Sequence, residues 1–113
     1  MRKAWIVGPV SMAWSLTGLF GAWAQSAGPA LDATQLLGRA LFNQSCRVCH
    51  EKPQVTAAVY GPTLSRESLG GQTDVMREVI VNGTPRMPGF KYNFDPAQID
   101  AIVAYLKTVP KQP

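Results

Sequence analysis

Apolar residues recur at helical spacing in three separate segments of the chain, and no segment alternates apolar and polar residues as a half-buried strand does. The first predicted helix begins after Asp32, which forms a capping-box pattern with Gln35, and extends to about Ser45. Its predicted apolar face consists of Leu36, Leu37, Ala40 and Leu41, with Phe42 beside them. The pattern therefore predicts a helix with one buried side.

The second predicted helix follows an irregular loop that contains Gly61-Pro62 and a short helical turn over residues 65–69. Thr73 is the predicted cap of this helix, and Gly83 occupies the place where a glycine commonly ends one. The residues expected to face the core are Val75, Met76, Val79 and Ile80. A loop rich in proline and glycine is predicted from residue 83 to residue 95.

The third predicted helix has the clearest boundaries. Asp95 suits the N-cap, Pro96 the first helical position and Gln98 the third. Its apolar residues are spaced by three and four positions: Ile99, Ile102, Val103 and Leu106. Pro110 prevents much continuation beyond this segment. The whole pattern predicts an all-α protein with three main helices and short turns.

The N-terminus has the pattern of an export signal. Arg2 and Lys3 precede an uncharged run that ends in Ala22-Trp23-Ala24, which fits the small-residue requirement of a signal peptidase. We predict a signal peptide over residues 1–24, a flexible lead-in over 25–31 and one domain over 32–113, which implies a periplasmic protein. The run is also about long enough to span a bilayer, so a retained anchor with membrane contact is the alternative.

Removing the leader changes the composition of the chain. The full sequence carries 11 Lys and Arg against 7 Asp and Glu, a formal charge of +4. Because Arg2 and Lys3 lie in the leader, the mature chain has 9 basic and 7 acidic residues and a formal charge of +2. This balance gives no support to nucleic-acid binding. About 89 residues remain, enough only for a thin core that a buried prosthetic group would enlarge.

Both cysteines and the single histidine lie within the segment Cys46-Arg47-Val48-Cys49-His50. This is the C-x-x-C-H pattern of covalent haem attachment. Two thiols one helical turn apart can form thioethers with the two vinyl groups of haem, and the adjacent imidazole can bind the iron. We therefore predict one haem c, attached through Cys46 and Cys49, with His50 as an iron ligand.

Three other chemistries could use a Cys-x-x-Cys pair. A zinc site would need four ligands, usually in two clusters, and the sequence has no second cluster. A thioredoxin-like pair would lie in a βαβ context, which the periodicity does not predict. A structural disulfide between Cys46 and Cys49 would suit an oxidising compartment, but it would leave His50 unexplained. Haem attachment is therefore the favoured interpretation.

The sixth iron ligand has to come from outside the motif, because the chain has no second histidine. Met87 is the favoured residue, since it lies in a loop between two helices and is followed by Pro88. Met76 lies on the apolar face of a predicted helix, where a core role is the simpler interpretation. Met76 as ligand and an open iron position remain the alternatives. Four aromatic residues could form pocket walls, with the two nearest Met87 favoured: Tyr60, Phe94, Phe90 and Tyr92.

Together these features resemble the monohaem class I cytochromes c. The resemblance covers nearly all of the chain after residue 24, and it rests on the haem motif, on Gly61-Pro62-Thr63-Leu64, on Met87-Pro88 and on the two terminal helices. It implies a small cytochrome c-like fold, in which three main helices and short turns surround one covalently bound haem.

Two further expectations follow from this family. By position, the carbonyl of Pro62 would accept the second N–H of His50. Gly38, Phe42 and Tyr105 would form the close crossing of the terminal helices. One feature departs from the family, because every tryptophan of this chain lies in the predicted leader. Any indole contact with a haem propionate is then absent.

The predicted ligands imply an electron carrier. With His50 and Met87 both on the iron, no position is open for a substrate, so we predict one-electron transfer and no enzymatic activity. The expected partners are a periplasmic dehydrogenase, an oxidase or another cytochrome, and the protein is expected to be a monomer. The alternatives are a fixed electron-transfer subunit of a periplasmic dehydrogenase or oxidase complex, and a peroxidase-like enzyme with open iron.

Basic residues flank both predicted ligand segments. Arg47 and Lys52 lie near His50, Arg86 and Lys91 lie near Met87, and only Glu51 opposes them. Such a rim would steer the protein toward an acidic partner. A solvated surface of mixed charge is the simpler interpretation.

Overall fold

The computed structural model describes residues 28–51 and 60–113. These residues form α1 (Ala33–Ser45), the one-turn helix α2 (Arg47–His50), a short 3-10 helix (Ser68–Gly71), α3 (Thr73–Asn82) and α4 (Pro96–Leu106). Within the described residues there is no strand, only an isolated bridge between Thr84 and Met87. The predicted all-α fold with three main helices is confirmed.

The predicted leader and the first part of the lead-in lie outside the described residues, so the domain boundaries at residues 24 and 31 stay predictions. No helix within residues 28–51 and 60–113 is long and apolar enough to cross a bilayer.

Helices α1 and α4 both begin with the predicted capping boxes. Asp32 Oδ1 accepts the N–H of Gln35 at 2.8 Å, and the Gln35 side chain accepts the N–H of Asp32 at 3.0 Å. Asp95 and Gln98 repeat this exchange at 2.8 Å and 3.0 Å, with Pro96 at the first helical position. Each box satisfies N–H groups that a helix start otherwise leaves without partners, so both starts were predictable locally.

The predicted start of α3 is wrong. Thr73 is the first helical residue, and the N-cap is Gln72, whose side chain makes no capping hydrogen bond. The end of the helix agrees with the prediction, because Gly83 closes it with a φ of +75°. A side chain is unfavourable in that conformation, which explains why glycine stands there.

The predicted apolar face of α1 is partly wrong. Leu36 and Leu37 are 44% and 46% exposed, whereas the buried residues are Gly38, Leu41 and Phe42. The buried side of α1 is therefore centred on the glycine. Another helix can approach α1 most closely on this side. The side of α1 that faces the core is therefore the side of Gly38, and Leu36 and Leu37 remain partly exposed.

Helices α1 and α4 cross in backbone contact at Gly38. A Cβ atom at this position would overlap the carbonyl group of Ala101 and would lie 2.9 Å from the Cβ atom of Tyr105. One turn along α1, the rings of Phe42 and Tyr105 pack with their centroids 5.6 Å apart, tilted by 53°. This is the crossing that the resemblance to cytochromes c implied.

The core joins α1, α3 and α4. All four residues predicted for the apolar face of α4 are buried, together with Ala101. Helix α3 contributes Met76 and Ile80, while Val75 is exposed. Cys46, at the end of α1, belongs to the same cluster and is 7% exposed. The first residue of the haem motif is thus part of the core.

The turn predicted over residues 65–69 lies slightly later in the chain. The 3-10 helix contains Leu69 and Gly70 in the left-handed region, with φ of +52° and +69°. The Lys107 ammonium donates a hydrogen bond to the carbonyl of Gly71 at 2.6 Å, which ties this turn to the end of α4. Leu69 is a non-glycine residue in an unfavourable conformation, held by the surrounding structure.

Replacing Gly38 by alanine should destabilise the haem-containing protein. Alanine favours a helix over glycine by about 1 kcal/mol. The new methyl group, however, would overlap the Ala101 carbonyl, a backbone group that cannot rotate away. We expect a net loss of about 2 kcal/mol in the free energy of unfolding, measured by denaturant titration.

The matched control is Gly28→Ala, because a Cβ atom at Gly28 meets nothing within 4 Å. Its free energy of unfolding should stay within about 0.5 kcal/mol of the parent value. A Gly38→Ala protein as stable as the parent would contradict the close crossing.

Candidate haem site

The C-x-x-C-H segment lies where α1 passes into α2. Cys46 caps the end of α1, with its N–H donating to the Phe42 carbonyl at 2.8 Å. The N–H groups of Cys49 and His50 both donate to the Cys46 carbonyl at 3.1 Å. One helical turn therefore brings the two cysteines and the histidine together, as their spacing predicts. The two thiols are free in the structure, with no disulfide between them.

Burial makes the Cys46 thiol a weaker acid. Removal from water, with a smaller contribution from the neighbouring Cys49, raises the pKa of Cys46 from 9.0 to about 11. The free thiol therefore stays neutral at physiological pH and is a weak nucleophile and a weak ligand for a metal ion. A thioether has no ionisable proton, so covalent attachment suits this buried position.

The imidazole of His50 is oriented by the loop that follows. Nδ1 lies 2.8 Å from the carbonyl oxygen of Pro62. A carbonyl oxygen can only accept, so in a neutral ring Nδ1 carries the proton and Nε2 is left as the basic nitrogen. A fixed tautomer and ring orientation are what a metal-binding histidine requires. The contact is the one expected from the position of Pro62.

Gly61 allows the loop to approach the motif closely. Its N–H donates to the Cys49 carbonyl at 2.8 Å. A Cβ atom at Gly61 would lie 2.8 Å from His50 Cε1 and 2.9 Å from Nδ1. Only a residue without a side chain can therefore occupy this position while His50 keeps its hydrogen bond to Pro62.

A cavity of about 500 Å³ lies beside the motif, within the usual range for cofactor pockets of about 300–1,000 Å³. Cys49, His50 and Met87 all contribute to its wall. Most of the remaining wall is apolar and comes from the loop after Tyr60, the 3-10 helix, α3 and the end of α4. The structure thus brings the predicted histidine and the favoured methionine to one apolar cavity.

The other methionine of the domain, Met76, also lines this cavity, but it is 2% exposed and belongs to the core cluster. The half-buried Met87 lies instead in the loop after α3. The core role predicted for Met76 agrees with its burial.

The aromatic walls differ from the prediction. Tyr60 lines the cavity, but the two favoured residues, Phe90 and Tyr92, do not. Phe90 packs on the core and stacks on Phe94 with ring centroids 5.7 Å apart, and Tyr92 is 90% exposed. Nearness to Met87 in sequence was therefore a poor guide, because the chain returns to α3 at Phe90, whose N–H donates to the Ile80 carbonyl at 2.9 Å.

Among the residues that the structure describes, few unpaired charges surround the cavity. Arg86 is the one residue with a permanent charge among the lining residues that the structure describes, and its guanidinium lies 5.6 Å from the centroid of the Tyr60 ring. Arg47 pairs with Glu51 at 2.6 Å, so it adds little to a positive rim. Lys91 lies over the ring of Tyr92, and Lys52 is outside the described residues.

Several residues of the wall were not singled out from the sequence. Leu69 and Ser68 reach the cavity from the 3-10 helix, and Thr84 reaches it from the loop that carries Met87. The only local sequence signals for these residues were the two glycines after Leu69 and the three-residue spacing between Thr84 and Met87. Neither signal shows whether the side chain of Leu69 or Thr84 points into the cavity, because that direction depends on the conformation of the turn.

The cavity offers one thiol for the ring (Cys49), an oriented imidazole nitrogen and a thioether for the iron, and apolar walls for the macrocycle, while Cys46, one helical turn earlier, is buried in the core and does not line the cavity. This set of donors fits haem c. Such a fold with such a site defines a c-type cytochrome. More particularly, the chain belongs to the family of c-type cytochrome domains described as cytochrome c oxidase, cbb3-type, subunit III, which matches residues 33–106. It binds haem c and transfers electrons.

Two relatives are similar to this chain. The dihydro-heme d1 dehydrogenase of Pseudomonas aeruginosa is 40% identical over 86 residues, which are 74% of this chain and 17% of the relative. A cytochrome c-553-like protein of Synechocystis is 36% identical over 74 residues, 64% of this chain and 66% of the relative. The match thus spans less than two thirds of the length of either relative. No solved structure matches the chain significantly.

Replacing Gly61 by alanine should disturb His50. The methyl group would push the imidazole away from the Pro62 carbonyl, and the hydrogen bond of 2.8 Å would be lost. For His50 as the predicted iron ligand, we expect a weaker iron–imidazole bond, seen as a lower stretching frequency in resonance Raman spectra of the ferrous protein in the Met87→Ala background. Gly28→Ala is again the control, and an unchanged frequency in Gly61→Ala would contradict the role of this loop.

Proposed function

We propose that this protein is a periplasmic electron carrier, whose single haem c is attached through Cys46 and Cys49 and ligated by His50 and Met87. One observation carries the proposal. The oriented imidazole of His50 and the side chain of Met87 contribute to the wall of the same apolar cavity. The bound haem supplies the chemistry, a one-electron change between ferric and ferrous iron.

The proposed ligand pair favours a carrier over an enzyme. When a histidine and a methionine both hold the iron, no coordination position remains for a substrate. The neutral thioether of Met87 and the apolar cavity wall disfavour the extra positive charge of ferric iron, so the reduction potential is raised. An enzyme of the peroxidase type would instead need an open position on the iron.

Both ligand loops are attached to neighbouring helices by backbone hydrogen bonds. The loop next to His50 is joined to α2 through Gly61 N–H and the Cys49 carbonyl at 2.8 Å. The loop next to Met87 is joined to α3 through Phe90 N–H and the Ile80 carbonyl at 2.9 Å. Ligands on firmly held loops move little when the charge of the iron changes, and this suits rapid electron transfer.

The predicted leader supports the proposed location, and the family supports redox proteins as partners. Export through residues 1–24 would deliver the chain to the periplasm, where redox proteins would exchange electrons with it in brief encounters. A dehydrogenase, an oxidase or another cytochrome would serve as partner, and the carrier would act as a monomer.

A second candidate is a fixed electron-transfer part of a larger assembly. It is favoured by the relative from Pseudomonas aeruginosa, in which the similar stretch is only 17% of a protein named as a dehydrogenase. A similar stretch therefore occurs within a longer redox protein. Native size and co-purification of the exported protein distinguish the two candidates, because a carrier elutes as a monomer of about 10 kDa, near the size of one small domain.

Substituting Met87 tests the iron ligation. In the ferric protein, Met87→Ala should abolish the methionine-to-iron charge-transfer band and produce high-spin haem. Met76→Leu is the matched control, because it replaces a buried methionine of the same cavity wall with a residue of similar volume. Its band should remain. If Met76→Leu loses the band and Met87→Ala keeps it, the ligand assignment is reversed. High-spin haem in the parent protein would favour the open-site enzyme.

Ionic strength tests the proposed steering by charge. Because Arg86 lies at the cavity, electron transfer with an acidic partner should slow as salt is raised from about 0.01 M to 1 M, where the screening length falls from about 30 Å to 3 Å. Arg86→Gln should flatten this dependence. The control is Arg39→Gln, which removes an exposed charge that does not line the cavity. Rates that do not change with salt would exclude steering.

A further inference from the structure

The turn that carries Met87 is closed by a side chain as well as by the backbone. The N–H of Thr84 donates to the Met87 carbonyl at 2.8 Å, and the N–H of Met87 donates back to the Thr84 carbonyl at 3.2 Å. The hydroxyl oxygen of Thr84 accepts from the N–H of Met87 at 3.1 Å and from that of Arg86 at 3.3 Å. Met87 N–H is therefore shared between two oxygen atoms of one residue.

The side-chain contacts matter because the backbone contacts of this turn are few. Pro85 has no N–H to contribute, and the Arg86 N–H has the Thr84 hydroxyl as its partner in the described structure. Thr84 and Arg86 are exposed, so without that hydroxyl Arg86 N–H would have only solvent as its partner, and within the protein Met87 N–H would keep only the contact of 3.2 Å. Threonine and serine hydroxyls commonly stabilise turns in this way.

The rest of the loop is held independently of Thr84. Gly83 adopts a φ of +75°, and a Cβ atom there would lie 2.5 Å from Gly89 N, so the two ends of the loop are in backbone contact. The N–H of Phe90 donates to the Ile80 carbonyl at 2.9 Å. These contacts fix where the loop leaves and returns to α3, and the conformation between them depends on the turn over residues 84–87.

We propose that Thr84 is a positioning residue, whose hydroxyl holds the turn in the conformation that presents Met87 to the cavity. This inference rests on the proposed ligation of the iron by Met87. Opening of the turn would withdraw the thioether and leave the sixth position to a competing ligand. The hydroxyl therefore lowers the affinity of the protein for external ligands without touching them.

External imidazole provides a direct measure of this opening. Imidazole can bind the iron only in molecules in which Met87 has left, so its apparent dissociation constant falls as the open fraction rises. Thr84→Val keeps the shape of the side chain but removes the acceptor, and Thr84→Ser restores the acceptor. Thr73→Val makes the same change at an exposed threonine for which the structure shows no side-chain hydrogen bond.

The decisive experiment titrates the ferric haem protein with imidazole in two backgrounds, with Met87 present and with Met87→Ala. With Met87 present, Thr84→Val should bind imidazole about three- to tenfold more tightly than the parent, as expected for the loss of one or two hydrogen bonds. Thr84→Ser and Thr73→Val should remain within about twofold of it. In the Met87→Ala background the position is already open, so Thr84→Val should have no effect.

Each other result overturns the inference in a distinguishable way. Equal imidazole affinity in Thr84→Val and the parent, alongside a clear effect of Met87→Ala, rejects the role of Thr84 and leaves the proposed ligand intact. Tighter binding that persists in the Met87→Ala background means that Thr84 acts on the cavity itself, which it also lines. If Met87→Ala changes neither imidazole affinity nor the charge-transfer band, Met87 is not the ligand, and both proposals fail.

Discussion

Two helices can reach backbone contact only where one of them lacks a side chain, and Gly38 provides that place in α1. Its contact with Ala101 on α4 decides which side of α1 is buried. The same side carries Phe42 and, at the end of the helix, Cys46. The crossing therefore brings the first cysteine of the haem motif into the core, and the single turn of α2 then places Cys49 and His50 at the cavity.

Much of the fold could be predicted because its signals are local. The capping boxes at Asp32 and Asp95 depend on residues three positions apart, and they formed as expected. The buried side of α1 was predicted partly wrongly from periodicity, because hydrophobicity favours Leu36 and Leu37. Gly38 has no side chain to count, and only the resemblance to cytochromes c placed it at the helix crossing. A glycine's effect on packing depends on the partner helix, which comes from the other end of the chain.

Some features of the candidate site were likewise predictable from local sequence, and others were not. The haem motif is contained in one helical turn, so its pattern was sufficient to identify the cofactor. The cavity wall is assembled from distant segments, and neither Leu69 nor Thr84 could be placed there from spacing alone. Phe90 was wrongly favoured as part of the cavity wall because it is close to Met87 in sequence. In the structure it stacks on Phe94 and does not line the cavity.

The size of the cavity explains why covalent attachment suits this fold. The apolar side chains that line this cavity of about 500 Å³ lack packing partners on one side unless another group fills the space. The haem that fills the space is therefore part of the core as well as the redox centre. Thioether bonds prevent its loss, so the same group that carries the electron also fills the space between α2, the 3-10 helix, α3 and the end of α4.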